Sequence, residues 1–172
     1  MTTMLKLSHV TKTFNKGTVT DKRALTGVNL ELAEGDFVTV IGGNGAGKST
    51  LLNMIAGVYP LDAGTIELDG TDVSRMTEPQ RAKFLGRVFQ DPMRGTAADM
   101  QIAENLALAK RRGQKRGLAW GISAKEKEEY PELLATLGLG LETRMSAKVG
   151  LLSGGQRQAL TLLMATLTNP KL

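Results

Sequence analysis

The chain contains no cysteine. That excludes disulfides, thiolate nucleophiles and cysteine-based zinc sites, and it fits a reducing compartment. It has a single histidine, His9, and no acidic residue after Glu142. Long hydrophobic runs are also missing. The longest apolar stretch, Ala159 to Leu167, has nine residues and includes two threonines, whereas a membrane-spanning helix needs roughly 18 or more. Met1 to Phe14 alternates polar and apolar residues and lacks the apolar centre of a signal peptide. The expectation is a cytosolic chain, unless a membrane partner holds it.

What remains is ordinary for a globular protein: 172 residues, 41% hydrophobic and 23% charged, enough for one domain with a real core. Lys and Arg number 22 against 17 Asp and Glu, a net charge of +5. Such an excess points toward anionic partners. The acid-free end of the chain weakens that reading, because acids in a continuation would correct the balance.

Hydrophobic periodicity gives an outline. Met4 to Leu7 and Val28 to Leu32 alternate as half-buried strands do. Phe37 to Ile41 is apolar except at Thr39, as in a strand buried on both faces. It runs into Gly42-Gly43-Asn44-Gly45-Ala46-Gly47-Lys48-Ser49-Thr50. A helix is predicted from Lys48 to Ala56, with Leu51, Leu52, Ile55 and Ala56 on one face and Gly57 as its stop. Tyr59 to Gly64 reads as a turn, Thr65 to Leu68 as a strand closed by Asp69-Gly70, Glu78 to Leu85 as a helix with Pro79 in its first turn, and Arg87 to Phe89 as a short strand leading to Gln90. Beyond Asp91 the texture becomes helical: an amphipathic helix from Ile102 to Lys110, a basic loop from Lys110 to Gly117, and a charged helix from Lys125 to Leu137 interrupted by Pro131. The strand–loop–helix order at Phe37 to Ala56 predicts an α/β domain with a parallel sheet.

Two segments carry chemistry. Gly42-x-x-x-x-Gly47-Lys48-Ser49 has the phosphate-binding loop pattern. Its glycines permit backbone conformations closed to other residues and let amide N–H groups approach phosphate oxygens, while the following helix aims its positive end at the same place. Lys48 supplies a mobile charge for β- and γ-phosphates, and the Ser49 hydroxyl can ligate Mg²⁺. Leu152-Ser153-Gly154-Gly155-Gln156 reads as a capping box, with Ser153 capping a helix and Gln156 capping back. A helix start with two glycines is also an anion site once a phosphate comes near.

A phosphate-binding loop, then Val88-Phe89-Gln90-Asp91, then Leu-Ser-Gly-Gly-Gln-Arg-Gln resembles the ATP-binding-cassette (ABC) ATPases in order and approximate spacing, over all 172 residues. The resemblance implies a P-loop NTPase fold with a parallel core sheet, an N-terminal antiparallel β subdomain and an inserted helical subdomain. It divides the chain into a nucleotide-binding core with β subdomain (1–90), a helical subdomain (91–150) and the signature with its helix (151–172). It implies ATP and Mg²⁺ as ligands. Phe14 stands where the family stacks an aromatic on adenine. Gly42, Gly43, Asn44, Gly45, Ala46, Gly47, Lys48, Ser49 and Thr50 match the phosphate loop. Gln90 matches the glutamine that touches Mg²⁺ and the attacking water. Ser153, Gly154, Gly155 and Gln156 match the signature that meets the γ-phosphate of an opposite subunit in a head-to-tail dimer. Gly43 departs from relatives that carry proline there.

The family also places an Asp-Glu pair, for Mg²⁺ and the attacking water, and a histidine after the signature helix. This sequence has neither after Glu142, so it reads as an N-terminal fragment of a longer protein, missing the C-terminal part, and the 172 residues by themselves are expected not to turn over ATP. The basic run Lys110, Arg111, Arg112, Lys115 and Arg116 reads first as a solvated surface, with lipid headgroups or a transport subunit as the alternative. The leading functional reading is the ATP-hydrolysing motor of a membrane ABC transporter of the bacterial importer kind. It would be held at the cytoplasmic face by permease subunits and paired with a second ATPase subunit, with no direct nucleic-acid contact. The other reading is a soluble ABC ATPase acting on ribosomes or DNA. Lys110 to Gly121 resembles a bacterial subgroup linked to amino-acid uptake.

Overall fold

A computed structural model describes residues 2–114 and 121–172 and, at Pro92, the backbone alone. Lys115 and Arg116 of the basic run, and most of the stretch that resembles the amino-acid-uptake subgroup, lie outside the described residues. The chain forms two compact units, Met1–Leu85 with Lys171–Leu172, and Gly86–Pro170.

The first unit is built on an antiparallel sheet in the order β2-β1-β3-β4. Its strands are β1 (Thr3–Phe14), β2 (Lys22–Ala33), β3 (Ala63–Leu68) and β4 (Thr71–Asp72). Alternation along β1 sends Leu5 and Leu7 to one face, and a register shift between Leu7 and Val10 brings Val10 to burial as well. Register follows that face: Leu5 pairs with Leu32 on one side and Leu68 on the other, and Leu7 with Leu30 and Ile66. Helix α1 (Lys48–Ala56) adds Leu51, Met54 and Ile55 to this core. Its bounds and its Gly57 stop are those read from the sequence.

Two predicted strands do not form ladders. Phe37 to Ile41 carries no strand pairing, and Phe37 and Ile41 are 95% and 88% exposed. Arg87 to Phe89 is likewise irregular. The apolar runs are real, but a strand is defined by a neighbour that takes its N–H and C=O groups; the paired strands here belong to the antiparallel sheet. The helix expected over Glu78 to Leu85 is shorter, α2 (Glu78–Arg81). It opens on a Thr77–Gln80 capping box and gives way to turns after Arg81, whose buried guanidinium donates to the Met54 and Ile55 carbonyls at the end of α1 (2.6 and 3.0 Å). That contact satisfies acceptors the helix end leaves orphaned.

The second unit packs α3 (Ile102–Lys110), α4 (Ala124–Ala135) and α5 (Gly154–Thr166) around Ile102, Leu106, Tyr130, Leu134, Leu141, Val149 and Leu160. Lys110 to Glu129 (2.6 Å) and Arg111 to Glu126 (2.9 Å) tie α3 to α4, and Arg112 donates to the Ala165 carbonyl (3.0 Å) and the Thr168 hydroxyl (2.8 Å), so the described residues of the predicted solvated run are all engaged. Pro131 does not interrupt α4, which runs through it. A proline in a helix interior costs about 3 kcal/mol, but its neighbours Tyr130 and Leu134 are fully buried, and each such burial returns about 1.5–3 kcal/mol.

Candidate phosphate loop and signature turn

The phosphate loop lies in the first unit and leans on β2. Gly47, the residue before α1, has φ +86°, and a Cβ there would sit 2.7 Å from the Ala24 carbonyl oxygen. Only glycine accepts both the left-handed backbone and that approach. Gly45 shares the left-handed backbone, at φ +84°, and the ammonium of Lys22 lies 4.0 Å from where its Cβ would be. Nothing in the local pattern singles out Lys22; the β2 register brings it there.

Helix α1 starts at Lys48 with no side-chain cap and no acidic residue in its first turn. The N–H groups of a helix's first turn have no intrahelical acceptor, and here no carboxylate competes for them. The Lys48 ammonium donates to the carbonyls of Gly42 (2.6 Å) and Gly43 (2.8 Å). It is thus held over the loop by neutral oxygens, which a phosphate oxygen would outbid as a charge-assisted acceptor. Ser49, one residue on, is exposed, as are Asn44 and Ala46, and Thr50 is half-buried. Phe14 ends β1 opposite Lys22. Its ring is half-buried and stands edge-on to Tyr59, with centroids 5.1 Å apart and planes at 83°.

Gln90 and the signature belong to the second unit, and the phosphate loop to the first. Gln90 is exposed. Beside it, Asp91 accepts the Met93 N–H (2.9 Å) and caps a 3₁₀ turn over Pro92–Gly95. The signature forms the expected capping box: the Ser153 hydroxyl accepts the Gln156 N–H (3.3 Å), and the Gln156 side chain accepts the Ser153 N–H (3.2 Å). Gln156 also donates to the Leu139 carbonyl (3.3 Å). Gly154 and Gly155 are exposed, and a Cβ on either would meet nothing within 4 Å. Packing within this chain therefore does not require glycine there. Arg157, which sequence reasoning passed over, donates to the carbonyls that lead into Ser153. Among the described residues, no three His, Asp or Glu side chains gather as a metal cluster.

Comparison with known proteins decides the family. The ABC transporter family model matches residues 25–172. The chain belongs to that family. The tyrosine transport ATP-binding protein of Clostridioides difficile (strain R20291) is 38% identical over 168 residues, covering 98% of this chain and 66% of the relative. The lipoprotein-releasing system ATP-binding protein LolD of Bacteroides thetaiotaomicron is 36% identical over 172 residues, covering 97% and 72%. Among solved structures, the dimeric post-hydrolysis state of the ATP-binding cassette MJ0796 bound to ADP and Pi superposes with a TM-score of 0.78 at 29% identity, covering 97% of this chain and 71% of that one. The chain spans about two thirds of the length of the tyrosine-transport relative. Its fold is the α/β fold of the ATP-binding cassette, with an antiparallel β-sheet unit and a helical unit.

Proposed function

We propose that this ABC chain is the ATP-binding and ATP-hydrolysing motor subunit of a membrane transporter, of the bacterial importer kind. The observation that carries the reading is the phosphate loop: an uncapped helix start without acids, Lys48 held over it by two carbonyls, and a glycine, Gly47, where β2 leaves no room for a side chain. A polyphosphate suits that combination, since it offers oxygens to the free N–H groups and a stronger acceptor to Lys48. Ser49 presents a hard oxygen beside the same helix start, the donor Mg²⁺ prefers, and the family resemblance names Gln90 as the other protein ligand. Mg²⁺ there would neutralise charge on the phosphates. Phe14, exposed along part of its ring, would stack on adenine.

The signature supports a head-to-tail pair. Gly154 and Gly155 are bare where the chain itself leaves space, which suits close approach of a second subunit's γ-phosphate to the α5 start. Permease subunits would form the channel and hold this subunit at the cytoplasmic face; no described helix is long and apolar enough to cross a membrane. The transport names of the relatives support this, and that of the tyrosine transport protein favours an amino-acid cargo. Isothermal titration of ATP into the full-length protein and its Lys48→Ala variant tests the reading. We expect the variant to lose at least about tenfold in affinity, as removal of a charge-assisted contact implies; unchanged affinity would overturn it.

A further inference from the structure

Arg157 occupies an unfavourable place for a cation. It is the fourth residue of α5, near the helix's positive end, where a positive charge is destabilising. Its partners explain why it is there. Its backbone N–H makes the first intrahelical bond, to Ser153 O (2.9 Å). Its side chain turns back toward the N-terminus, as helical side chains do. There Nε donates to Val149 O (3.3 Å), and one terminal nitrogen lies within hydrogen-bond distance of the carbonyls of Val149 (3.1 Å), Gly150 (3.0 Å) and Leu152 (3.3 Å). The other terminal nitrogen contacts the Met93 sulfur. These acceptors are neutral. The guanidinium therefore serves to gather the three-residue turn that delivers Ser153, and to hold it against the 3₁₀ turn that follows Gln90.

We propose that Arg157 is the positioning residue of the signature: it fixes where Ser153 and the glycines stand and ties that position to the Gln90 segment through Met93. The inference rests on the motor-subunit reading above. A planar fork with five donors can reach several carbonyls at once; an ammonium on a flexible stem cannot hold the same set. Backbone hydrogen bonds from Val149 N–H to Met100 O (3.0 Å) and from Gly150 N–H to Ala98 O (2.8 Å) hold the start of the turn, and Arg157 gathers the carbonyls on its other side. Val149 is buried, but Gly150 and Leu151 are exposed, Leu151 at 72%.

The test uses the full-length protein with Arg157→Ala, Arg157→Lys, Met93→Leu and the Met93→Leu/Arg157→Lys pair. ATP affinity, ATP-driven dimerisation, kcat, KM and thermal unfolding are measured for each. Because Lys48 and its loop lie in the other unit, ATP affinity and KM should stay within about twofold while kcat and dimer formation fall by about tenfold or more. Arg157→Lys keeps charge and bulk, so it covers the case in which Arg157→Ala does not fold; it should unfold near the parent temperature yet lose about fivefold in kcat. The paired variant should lose no more than Arg157→Lys alone, since both changes break one link. Parent-like kcat and dimerisation in Arg157→Lys would overturn the inference, as would ATP affinity falling in step with kcat. Losses that multiply in the pair would overturn the link to Gln90. If the parent itself neither binds nor hydrolyses ATP, it is the motor-subunit reading that fails.

Discussion

At the scale of single residues, neighbouring glycines of the phosphate loop divide sharply. Gly47 has a left-handed backbone and a carbonyl 2.7 Å from any Cβ, whereas nothing lies within 4 Å of a Cβ on Gly43. Gly47→Ala should destabilise by about 2 kcal/mol or more, from left-handed strain plus the clash, and weaken ATP binding with it. Gly43→Ala should stay within about 1 kcal/mol of the parent. Urea unfolding of the two side by side checks this; equal losses would show that β2 does not press on the loop.

Glu126 gives a pH test. Burial pushes its pKa up, but hydrogen bonds from the Ser123 N–H and hydroxyl and from Arg111 outweigh burial and hold it at about 2. A folded pKa below the unfolded one means stabilisation that is full above about pH 4.5 and lost as pH falls toward 2. The parent should exceed Glu126→Gln by about 2 kcal/mol at pH 6, with the gap closing on acidification. Denaturant melts across that range measure it, and a constant gap would count against the assignment.

At the scale of elements, the capping box is the structural fact and the anion site is the proposal built on it. The spacing of Ser153 and Gln156 was legible because capping depends only on local sequence. Ser153→Arg removes the cap and places a bulky cation on the α5 start. It should leave ATP binding by the first unit intact while abolishing ATP-driven dimerisation; sedimentation of the variant as an ATP-stabilised dimer would contradict the trans role. Helices α1 and α3 were legible end to end for the same local reason. Pro131 was misread as a break because propensity alone carries no information about the burial of Tyr130 and Leu134 around it.

At the scale of the whole molecule, the two units hold separate parts of the proposed site: the phosphate loop in one, Gln90 and the signature in the other. The apolar run before the loop is the exposed surface of the first unit, with Phe37 at 95% and Ile41 at 88%. Side chains that open to water contribute little to folding. In the 172-residue polypeptide, Phe37→Ser should therefore change unfolding free energy by less than about 0.5 kcal/mol and reduce self-association, since exposed apolar runs promote it. Light scattering and urea melts read the two effects, and a large loss of stability would mean that Phe37 is packed after all.

The sequence by itself determined what depends on neighbours along the chain. The loop glycines, the bounds of α1 and α3, the Ser153 capping box and the order of motifs that marks the family are all written within a few residues of one another. Only the tertiary structure decided what depends on partners distant in sequence. The Ala24 carbonyl that forbids a side chain at Gly47, the carbonyls that bury Arg81, the carboxylates that hold Lys110 and Arg111, and the turn gathered by Arg157 are all of this kind. So is the fate of Phe37 to Ile41. An apolar run states that a segment can be buried, but a strand exists only where another strand supplies its hydrogen bonds, and that pairing is a property of the folded chain.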